Sequence, residues 1–488
     1  MLKNMIAFDL GASNGRAILG QFDGEKITLT ELHRFENNYV ELNGVYYWDL
    51  PYLYSQLKEG LLKFKQGGYG ELHSFGIDTW GVDYGLLDKN GHLISLPRSY
   101  RLGTQEDIDA VTQRISPRTL YHRTGIDTTL AYNTLYQLYR RKREGDIALQ
   151  NAETLLLMPD LLGYFLTGEL GTEYTVATTT GLYNPTFKDW DWETIEELDL
   201  PMRIFTKINK TGSVRGVLRP ELCRELGLNS APYVAVGGHD TASAVAAIPG
   251  TGNFAFCSSG TWSLFGIETN KPDLSPEAAA NGVSNEGTIQ GGFRPLRTII
   301  GMWIIQECRR DWLKNGIDIS WDDVVAEAKN AEPLRSIINP DSPEFYDGGN
   351  MEQKIKNFCE KTGQPVPETI GQIARCVYES LALKYRNALE SMEQIKGQPI
   401  DSLNIVGGPI QNRFLNQLIA DAIDRPVITG PIEGAAMGNL LTQAMALGDI
   451  EDLSELRQVV RNSETVDTWT PNHTPAWEEA YQKLLSYL

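Results

Sequence analysis

Apolar runs of strand length alternate along the chain with longer segments in which apolar residues recur every three or four positions, the pattern of an α/β fold. The first run, IAFDLGASNGRAILGQF (6–22), joins an apolar stretch, an aspartate, a turn of Gly, Ala, Ser and Asn, and apolar residues again, which predicts a hairpin. KITLTELHRF (26–35) alternates enough to add a third strand to an antiparallel meander. LPYLYSQLKEGLLKFKQ (50–66) predicts the crossover helix. LHSFGIDTWGVDYGLLDKNGHLI then begins as a parallel-type strand, breaks at IDTWG and resumes as a strand closed by the Asn90-Gly91 turn. Residues 121–140 predict a polar loop entering a helix, and the apolar 155–168 a piece of core around Pro159. Residues 172–192 predict an extended loop with a helix start at Asn184-Pro185, and Pro220 and Glu221 mark the start of a further helix.

In the second half, YVAVGGHDTASAVAAIPG (233–250) reads as a strand, the Gly237-Gly238 turn and a small-residue helix, with Asp240 at the junction. FAFCSSGTWSLFGIET (254–269) repeats the opening succession of strand, small polar turn and strand. Two such copies roughly 250 residues apart predict a duplicated α/β domain, with a turn from each facing a central cleft. A strand, a basic turn and a helix from near Ile299 follow, then a helix ending at Pro333 and a loop-rich excursion over 335–367. The clearest amphipathic helix is 367–397, with Ile373, Val377, Leu381, Tyr385 and Leu389 spaced by four. LNIVGGPIQNRFLNQLIADAIDRPVITG (403–430) predicts strand, Gly407-Gly408 turn, helix and strand, and 434–448 a tightly packing small-residue helix. The expected division is an N-terminal domain over 1–245, a C-terminal domain over 246–460 and a tail over 461–488 packed on them.

A chain of 488 residues is too long for one core, which agrees with that division. A formal charge of −19 argues against a nucleic-acid surface, and the one dense basic run, RRKR at 140–143, reads as a solvated helix end. No stretch approaches the roughly 18 uninterrupted apolar residues of a membrane span, and the N-terminus lacks a secretory apolar region, so neither membrane nor nucleic acid is expected as a partner and a cytoplasmic location is. The five cysteines form no CxxC pair, and with six scattered histidines they predict no zinc cluster.

Candidate chemistry concentrates at the turns. Gly11 and Gly15 suit a tight turn, Ser13, Asn14 and the backbone N–H groups beside them can cradle an anion, and Arg16 adds a positive charge. Asp9 then suits a Mg²⁺ ligand better than a phosphate contact, because like charges repel. A plain glycine turn with no ligand is the other reading, and the Walker A pattern is absent. IDTWGVDY (77–84) is either a loop offering carboxylates and an aromatic face to a polyhydroxylated ligand or a structural turn. Asp240 is placed either to take a proton from a hydroxyl or to cap the helix it opens. Gly407 and Gly408 allow a flat ligand close to backbone, a use compatible with an adenine or ribose site.

Together and in order, DLGASNGR (9–16), GHDTASA (238–244), SSGTWS (258–263) and GGPIQNRFLNQ (407–417) resemble the FGGY carbohydrate kinases, within the larger actin, Hsp70 and hexokinase fold. The resemblance runs from about residue 4 to residue 460. It implies two duplicated actin/hexokinase-like, ribonuclease H-like domains and ATP-dependent transfer of the γ-phosphoryl group to the 1-hydroxyl of a ketose, L-rhamnulose. It further implies Asp240 as general base, Asp9 as a holder of Mg²⁺, Ala12, Ser13, Asn14, Gly15 and Arg16 at the nucleotide phosphates, and Thr261 as a second phosphate contact. Gly408, Asn412 and Gln306 match nucleotide-site positions, and Gly81, His239 and Thr241 match sugar-site positions. Thr298 departs from the asparagine that relatives commonly carry at a nucleotide-binding position. Cys359 and Cys376 fall at the spacing of a cysteine pair bonded in a relative, although a cytoplasmic redox poise favours free thiols. A monomer or homodimer is expected. Alternatives are another FGGY ketose kinase acting on xylulose, ribulose or fuculose, an Hsp70-like ATPase module, and a non-catalytic sugar-binding regulator.

Overall fold

The computed structural model describes residues 2–488 and divides into two compact units. The first comprises the chain up to Ala247 together with Glu268–Pro295 and Gly434–Glu464. Its main sheet is built from β1 (Lys3–Leu10), β2 (Asn14–Phe22), β3 (Ile27–Glu36), β4 (Ser74–Thr79), β5 (Ser213–Val217) and β6 (Pro232–Ala235), in the order β5-β6-β4-β1-β2-β3. β1 pairs antiparallel with β2, setting Asp9 opposite Arg16, and parallel with β4, setting Asp9 opposite Asp78. The expected hairpin, meander and parallel strand are all present.

Strand alternation explains why both faces of this sheet are covered. Ile6, Phe8 and Leu10 turn to one face and pack with Leu53, Leu57, Leu61 and Phe64 of the helix Leu50–Gln66, which Asp49 caps by accepting from the Tyr52 N–H at 3.0 Å. Met5 and Ala7 turn to the other face and pack with Ala436, Met437, Leu440 and Leu441 of the helix Gly434–Ala446. That helix therefore belongs to the first unit although it lies beyond residue 430, and the units interleave along the chain where two consecutive domains meeting near residue 245 were expected. The physical reason is that the second face of the first sheet has its apolar cover encoded there.

The second unit comprises Ile248–Ile267, Leu296–Glu433 and Thr465–Leu488. It contains β7 (Phe254–Ser259), β8 (Trp262–Gly266), the part of β9 (Phe293–Ile300) from Leu296 onward, β10 (Ser402–Val406), β11 (Val427–Thr429) and β12 (Asp467–Trp469), in the order β9-β8-β7-β10-β11-β12. β7 pairs antiparallel with β8 and parallel with β10, the same plan as β1 with β2 and β4. The helix Ile370–Lys396 starts at a Thr369 capping box with Gln372, buries Ile373, Val377, Leu381, Tyr385 and Leu389, and ends at Gly397 in the left-handed conformation.

Three expectations about elements need correction. β9 runs to Ile300, held by pairing with β8, so the helix expected from Ile299 starts at Trp303. Tyr183–Asn184 pairs with Asp189–Trp190, and the helix expected at Asn184-Pro185 starts at Trp192, where the Asp191 carboxylate accepts from the Thr194 N–H at 2.8 Å. The excursion over 335–367 contains the helix Met351–Lys361. All five cysteines are free, and Cys359 and Cys376 are buried. Among the described residues no helix is long and apolar enough to cross a membrane.

Candidate active site

The opening turn sits at the end of the β1–β2 hairpin, where the Gly11 N–H donates to the Asn14 carbonyl at 2.9 Å and the Asn37 side chain donates to the Gly11 carbonyl at 2.7 Å. Neither Gly11 nor Gly15 has a positive φ, so the turn does not need their conformational freedom. Gly15 is required for space, since a Cβ there would run into the Phe35 ring, whereas a Cβ on Gly11 would meet nothing closer than the Asn14 carbonyl at 3.6 Å. Ala12, Ser13 and Asn14 line this open side, with Ser13 and Asn14 exposed and Ala12 half-buried.

Behind the turn lies a cluster of acids. Arg16 donates to Asp9 at 2.6 Å, so the cation expected at phosphate is here held by the carboxylate expected at metal. Asp78, next to Asp9 across the strand pair, accepts from Asn439 at 2.5 Å, while its other oxygen is buried without a hydrogen-bond partner. Burial, and then the negative charge of Asp9, hold Asp78 well above the usual carboxylate range. Gln443 completes the network, donating to Asn439 at 2.7 Å and to the Ile6 carbonyl at 3.0 Å. Among the described residues no three His, Cys, Asp or Glu side chains form a metal cluster.

Asp240 is the first residue of the short helix Asp240–Ala246, one position past its N-cap, so it is not the cap that one reading of the sequence allowed. Its side chain keeps 31% of its surface open to solvent, and the carboxylate accepts from the Thr241 hydroxyl at 3.1 Å. Burial raises its pKa against the lowering effect of His239, and Asp9 raises it further. This is the direction a proton acceptor needs. His239 Nε2 lies 3.4 Å from Asp240 Oδ1, and its Nδ1 lies 3.0 Å from the Glu286 carboxylate. His239, Asp240 and Thr241 are thus brought together as the motif suggested.

Gly81 reaches the same region through the bridge between Thr79 and His239. Its successor Val82 has φ +67°, a strained conformation for a β-branched residue. The strain is held by the Thr134 hydroxyl on the Val82 carbonyl at 2.6 Å and by the Val82 N–H on the Thr179 hydroxyl at 3.2 Å. Asp83, a candidate for the ligand-facing side of this loop, is instead consumed internally. It accepts from the indoles of Trp48 at 2.6 Å and Trp80 at 2.9 Å, from Gln137 at 2.9 Å and from the Tyr100 N–H at 3.2 Å, and burial pushes its pKa up to about 6. Trp48 and Gln137 gave no local sign of this partnership.

In the second unit the Thr261 hydroxyl donates to the Gln306 side chain at 3.2 Å, so two predicted nucleotide-site residues 45 positions apart meet. Gly407 has φ +101°, and a Cβ there would strike the Ser259 carbonyl; the GG turn is thereby seated on the SSGTWS turn. A Cβ on Gly408 would meet nothing within 4 Å. Asn412 caps the helix Arg413–Ile423, accepting from the Leu415 N–H at 3.0 Å, and its side-chain oxygen is therefore already engaged. Thr298 lies mid-strand opposite Leu264, away from the Trp262–Ile300 pair beside the turn.

The two units share an α/β plan with a small polar turn after the first strand of each, and the first unit adds the acids Asp9, Asp78 and the partly exposed Asp240. Residues 4–247 match the N-terminal domain and residues 255–447 the C-terminal domain of the FGGY family of carbohydrate kinases, and the chain belongs to that family. It is an ATP-dependent phosphotransferase acting on a sugar. Among curated relatives it is 42% identical over 486 residues to the rhamnulokinase of Bacteroides thetaiotaomicron, covering 99% of this chain and 98% of that one. It is 39% identical over 467 residues to the rhamnulokinase of Bacillus subtilis, covering 95% of each. Among solved structures it resembles ligand-bound xylulose kinase from Lactobacillus acidophilus, with a TM-score of 0.83, 17% identity and 99% and 97% of the chains covered. Plasmodium falciparum glycerol kinase with ADP matches with a TM-score of 0.79 at 14% identity, covering 100% and 97%. These last likenesses concern the fold.

Proposed function

We propose that the protein transfers the γ-phosphoryl group of ATP to the 1-hydroxyl of L-rhamnulose, giving L-rhamnulose 1-phosphate and ADP, with Asp240 as general base. The observation that carries the reading is Asp240 itself: a partly exposed carboxylate whose proton affinity is raised, beside the His239 ring and the Thr241 hydroxyl, in a chain similar over nearly its whole length to proteins named rhamnulokinase. Asp240 accepts the proton of the sugar hydroxyl as that oxygen attacks phosphorus, and His239, Thr241 and the Gly81 backbone orient the sugar. The opening turn, Ala12 to Arg16, receives phosphate on the open side of Gly11, while Thr261 and Gln306 bind nucleotide and the free space at Gly408 admits the adenosine moiety.

Mg²⁺ fits the acid cluster. The donors are all hard oxygens, and the unpartnered buried oxygen of Asp78 beside Asp9 suits a hydrated cation that takes few direct protein ligands. Asp9 would hold it, and its chemistry there would be neutralisation of phosphate charge. Arg16, which donates to Asp9 at 2.6 Å, would supply a second positive group beside the phosphates.

The experiment is turnover of Asp240→Asn with L-rhamnulose and MgATP. The expected result is a fall in kcat of about 10²–10⁴-fold with sugar and nucleotide affinity largely kept. Near-normal turnover would remove Asp240 as the base.

A further inference from the structure

We propose that Asp83 is a positioning residue for the sugar: its buried carboxylate anchors the strained turn at Gly81 and ties Trp80, Tyr100 and the Tyr132 backbone into one frame, so that sugar affinity depends on its ionisation and nucleotide affinity does not. The inference rests on the reading of this region as the sugar site and deepens it.

The Asp83 N–H donates to the Gly81 carbonyl at 2.9 Å, and Val82 between them has φ +67°. That combination is the rare, strained form of γ-turn, which a β-branched residue adopts only under constraint. Thr134 and Thr179 clamp Val82 itself, and the Asp83 side chain fixes the exit of the turn. Its Oδ2 gathers donors from three segments: the Trp48 indole from the strand Val45–Trp48, the Trp80 indole from the loop, and the N–H of Tyr100 from the turn Tyr100–Leu102. Its Oδ1 takes the Gln137 amide of the helix Thr134–Arg143, and the same nitrogen reaches the Tyr132 carbonyl at 2.8 Å. The Trp48 and Trp80 rings pack with centroids 4.2 Å apart, and Tyr100 meets Tyr132 edge-on at 6.1 Å. Asp83 is wholly buried, whereas Tyr100 and Tyr132 are half-buried. Burial raises the pKa of Tyr100, Arg101 lowers it, and the charges of Asp83 and then Asp240 raise it again, which places Tyr100 in the field of the proposed base. One carboxylate thus sets three segments around the residues assigned to the sugar.

As a device for stability, a wholly buried carboxylate held by neutral donors is costly, because no cation offsets its desolvation. As an anchor it has a use. A single oxygen that accepts three N–H groups fixes their mutual directions, which an apolar side chain of the same size does not. The anchor is also conditional. Burial brings the Asp83 pKa up to about 6, and protonation turns one of its acceptors into a donor. None of the four partners can accept there: two are indoles, one is a backbone N–H, and the Gln137 nitrogen is committed to the Tyr132 carbonyl. A bond must break, and the turn is released. Tyr100 is the titratable group that faces Asp83, and Arg101, Tyr39 and Asp240 act in turn on Tyr100.

Asp83→Asn keeps the shape and removes the charge, leaving one acceptor and an NH₂ set against that of Gln137. KM for L-rhamnulose is expected to rise about 10–100-fold, with KM for MgATP within about twofold and kcat within about threefold. In wild type the sugar KM rises as pH falls through about 6, by about tenfold at about pH 5, and in Asp83→Asn it does not. Trp48→Phe keeps a ring and removes one donor to the ionised form, which moves the midpoint of that rise to about pH 7. The indole N–H resonances of Trp48 and Trp80 follow the wild-type midpoint by NMR and are independent of pH in Asp83→Asn. A sugar KM unchanged in both variants, or an acid rise that is absent from wild type or survives Asp83→Asn, overturns the proposal. If Asp83→Asn does not fold, the midpoint in Trp48→Phe decides. The functional reading is judged separately: failure of wild type to phosphorylate L-rhamnulose defeats that reading, and the same comparison is then made with the ketose that is turned over. Phosphorylation of L-rhamnulose with an unaltered KM in both variants defeats only the role of Asp83.

Discussion

The helix that carries Asp240 is set in place by a second helix 190 or more residues further along, and Gly438 is the contact that a single atom would break. A Cβ on Gly438 would lie 2.6 Å from the Ser243 carbonyl carbon and closer still to its oxygen, where ordinary contact begins near 3.4 Å. Both partners are backbone of packed helices, Asp240–Ala246 and Gly434–Ala446, so neither can rotate away and the helices must part by about 1 Å or more. Two effects compete in Gly438→Ala. Helix propensity favours alanine by about 1 kcal/mol, while overpacking of a close interface costs about 1–3 kcal/mol and the separation also disturbs Met437, Leu440 and Leu441 against β1. Clash wins, with a net loss of about 1–2 kcal/mol. The functional effect exceeds the stability effect, because displacing a reacting group by 1 Å costs on the order of 10²-fold in rate. Thermal unfolding and steady-state turnover on one preparation measure the two together. A variant that melts and turns over like wild type would refute the inferred dependence of Asp240 on this contact.

Gly407→Ala places a side chain on the Ser259 carbonyl at a φ of +101°, and it is expected to weaken ADP binding about tenfold or more by titration calorimetry, with a strain cost of about 1–3 kcal/mol seen in the melt. Unchanged ADP affinity would detach the GG turn from the nucleotide site. The depressed pKa of Glu286 predicts a pH dependence of stability whose sign follows from the unfolded value of 4.5 and the folded value of about 2. The contribution is whole above pH 4.5 and is lost as pH falls toward about 2, amounting to about 3 kcal/mol in all and about 1.4 kcal/mol by about pH 3.5. Urea unfolding of wild type and Glu286→Gln across that range should show their difference changing by this amount; a constant difference would mean that Glu286 is not held ionised by its partners.

Local periodicity carried the elements that are buried by their own neighbours. The apolar run of β1 and the four-residue spacing from Ile373 to Leu389 are patterns that short stretches contain completely. The turns were legible because small polar residues between apolar runs have few other uses, and the spacing of DLGASNGR and SSGTWS made the duplication visible. What stayed hidden depends on partners remote in the chain. Gly15 is glycine because of Phe35, a reason its own turn does not contain, and Gly438 because of Ser243. The cover of the first sheet by the helix Gly434–Ala446 left a faint mark, polar Asn439 and Gln443 four apart in an apolar helix, which become intelligible only as the partners of Asp78 and the β1 backbone. Asp83 stayed open between a ligand-facing and a structural role because its four donors come from Trp48, Trp80, Tyr100 and Gln137, and nothing local distinguishes a satisfied carboxylate from a waiting one. The buried pairing of Glu286 with Arg294 left no local sign in a stretch that reads only as a strand and a basic turn.

The most direct measurement is ADP formation by the wild-type protein with MgATP and each of L-rhamnulose, L-fuculose, D-xylulose and D-ribulose, with the phosphorylated carbon assigned by phosphorus-coupled NMR. The account predicts the highest kcat/KM for L-rhamnulose and a phosphate on its 1-oxygen. Preference for another ketose, phosphate at another carbon, or ADP formation indifferent to sugar would contradict it.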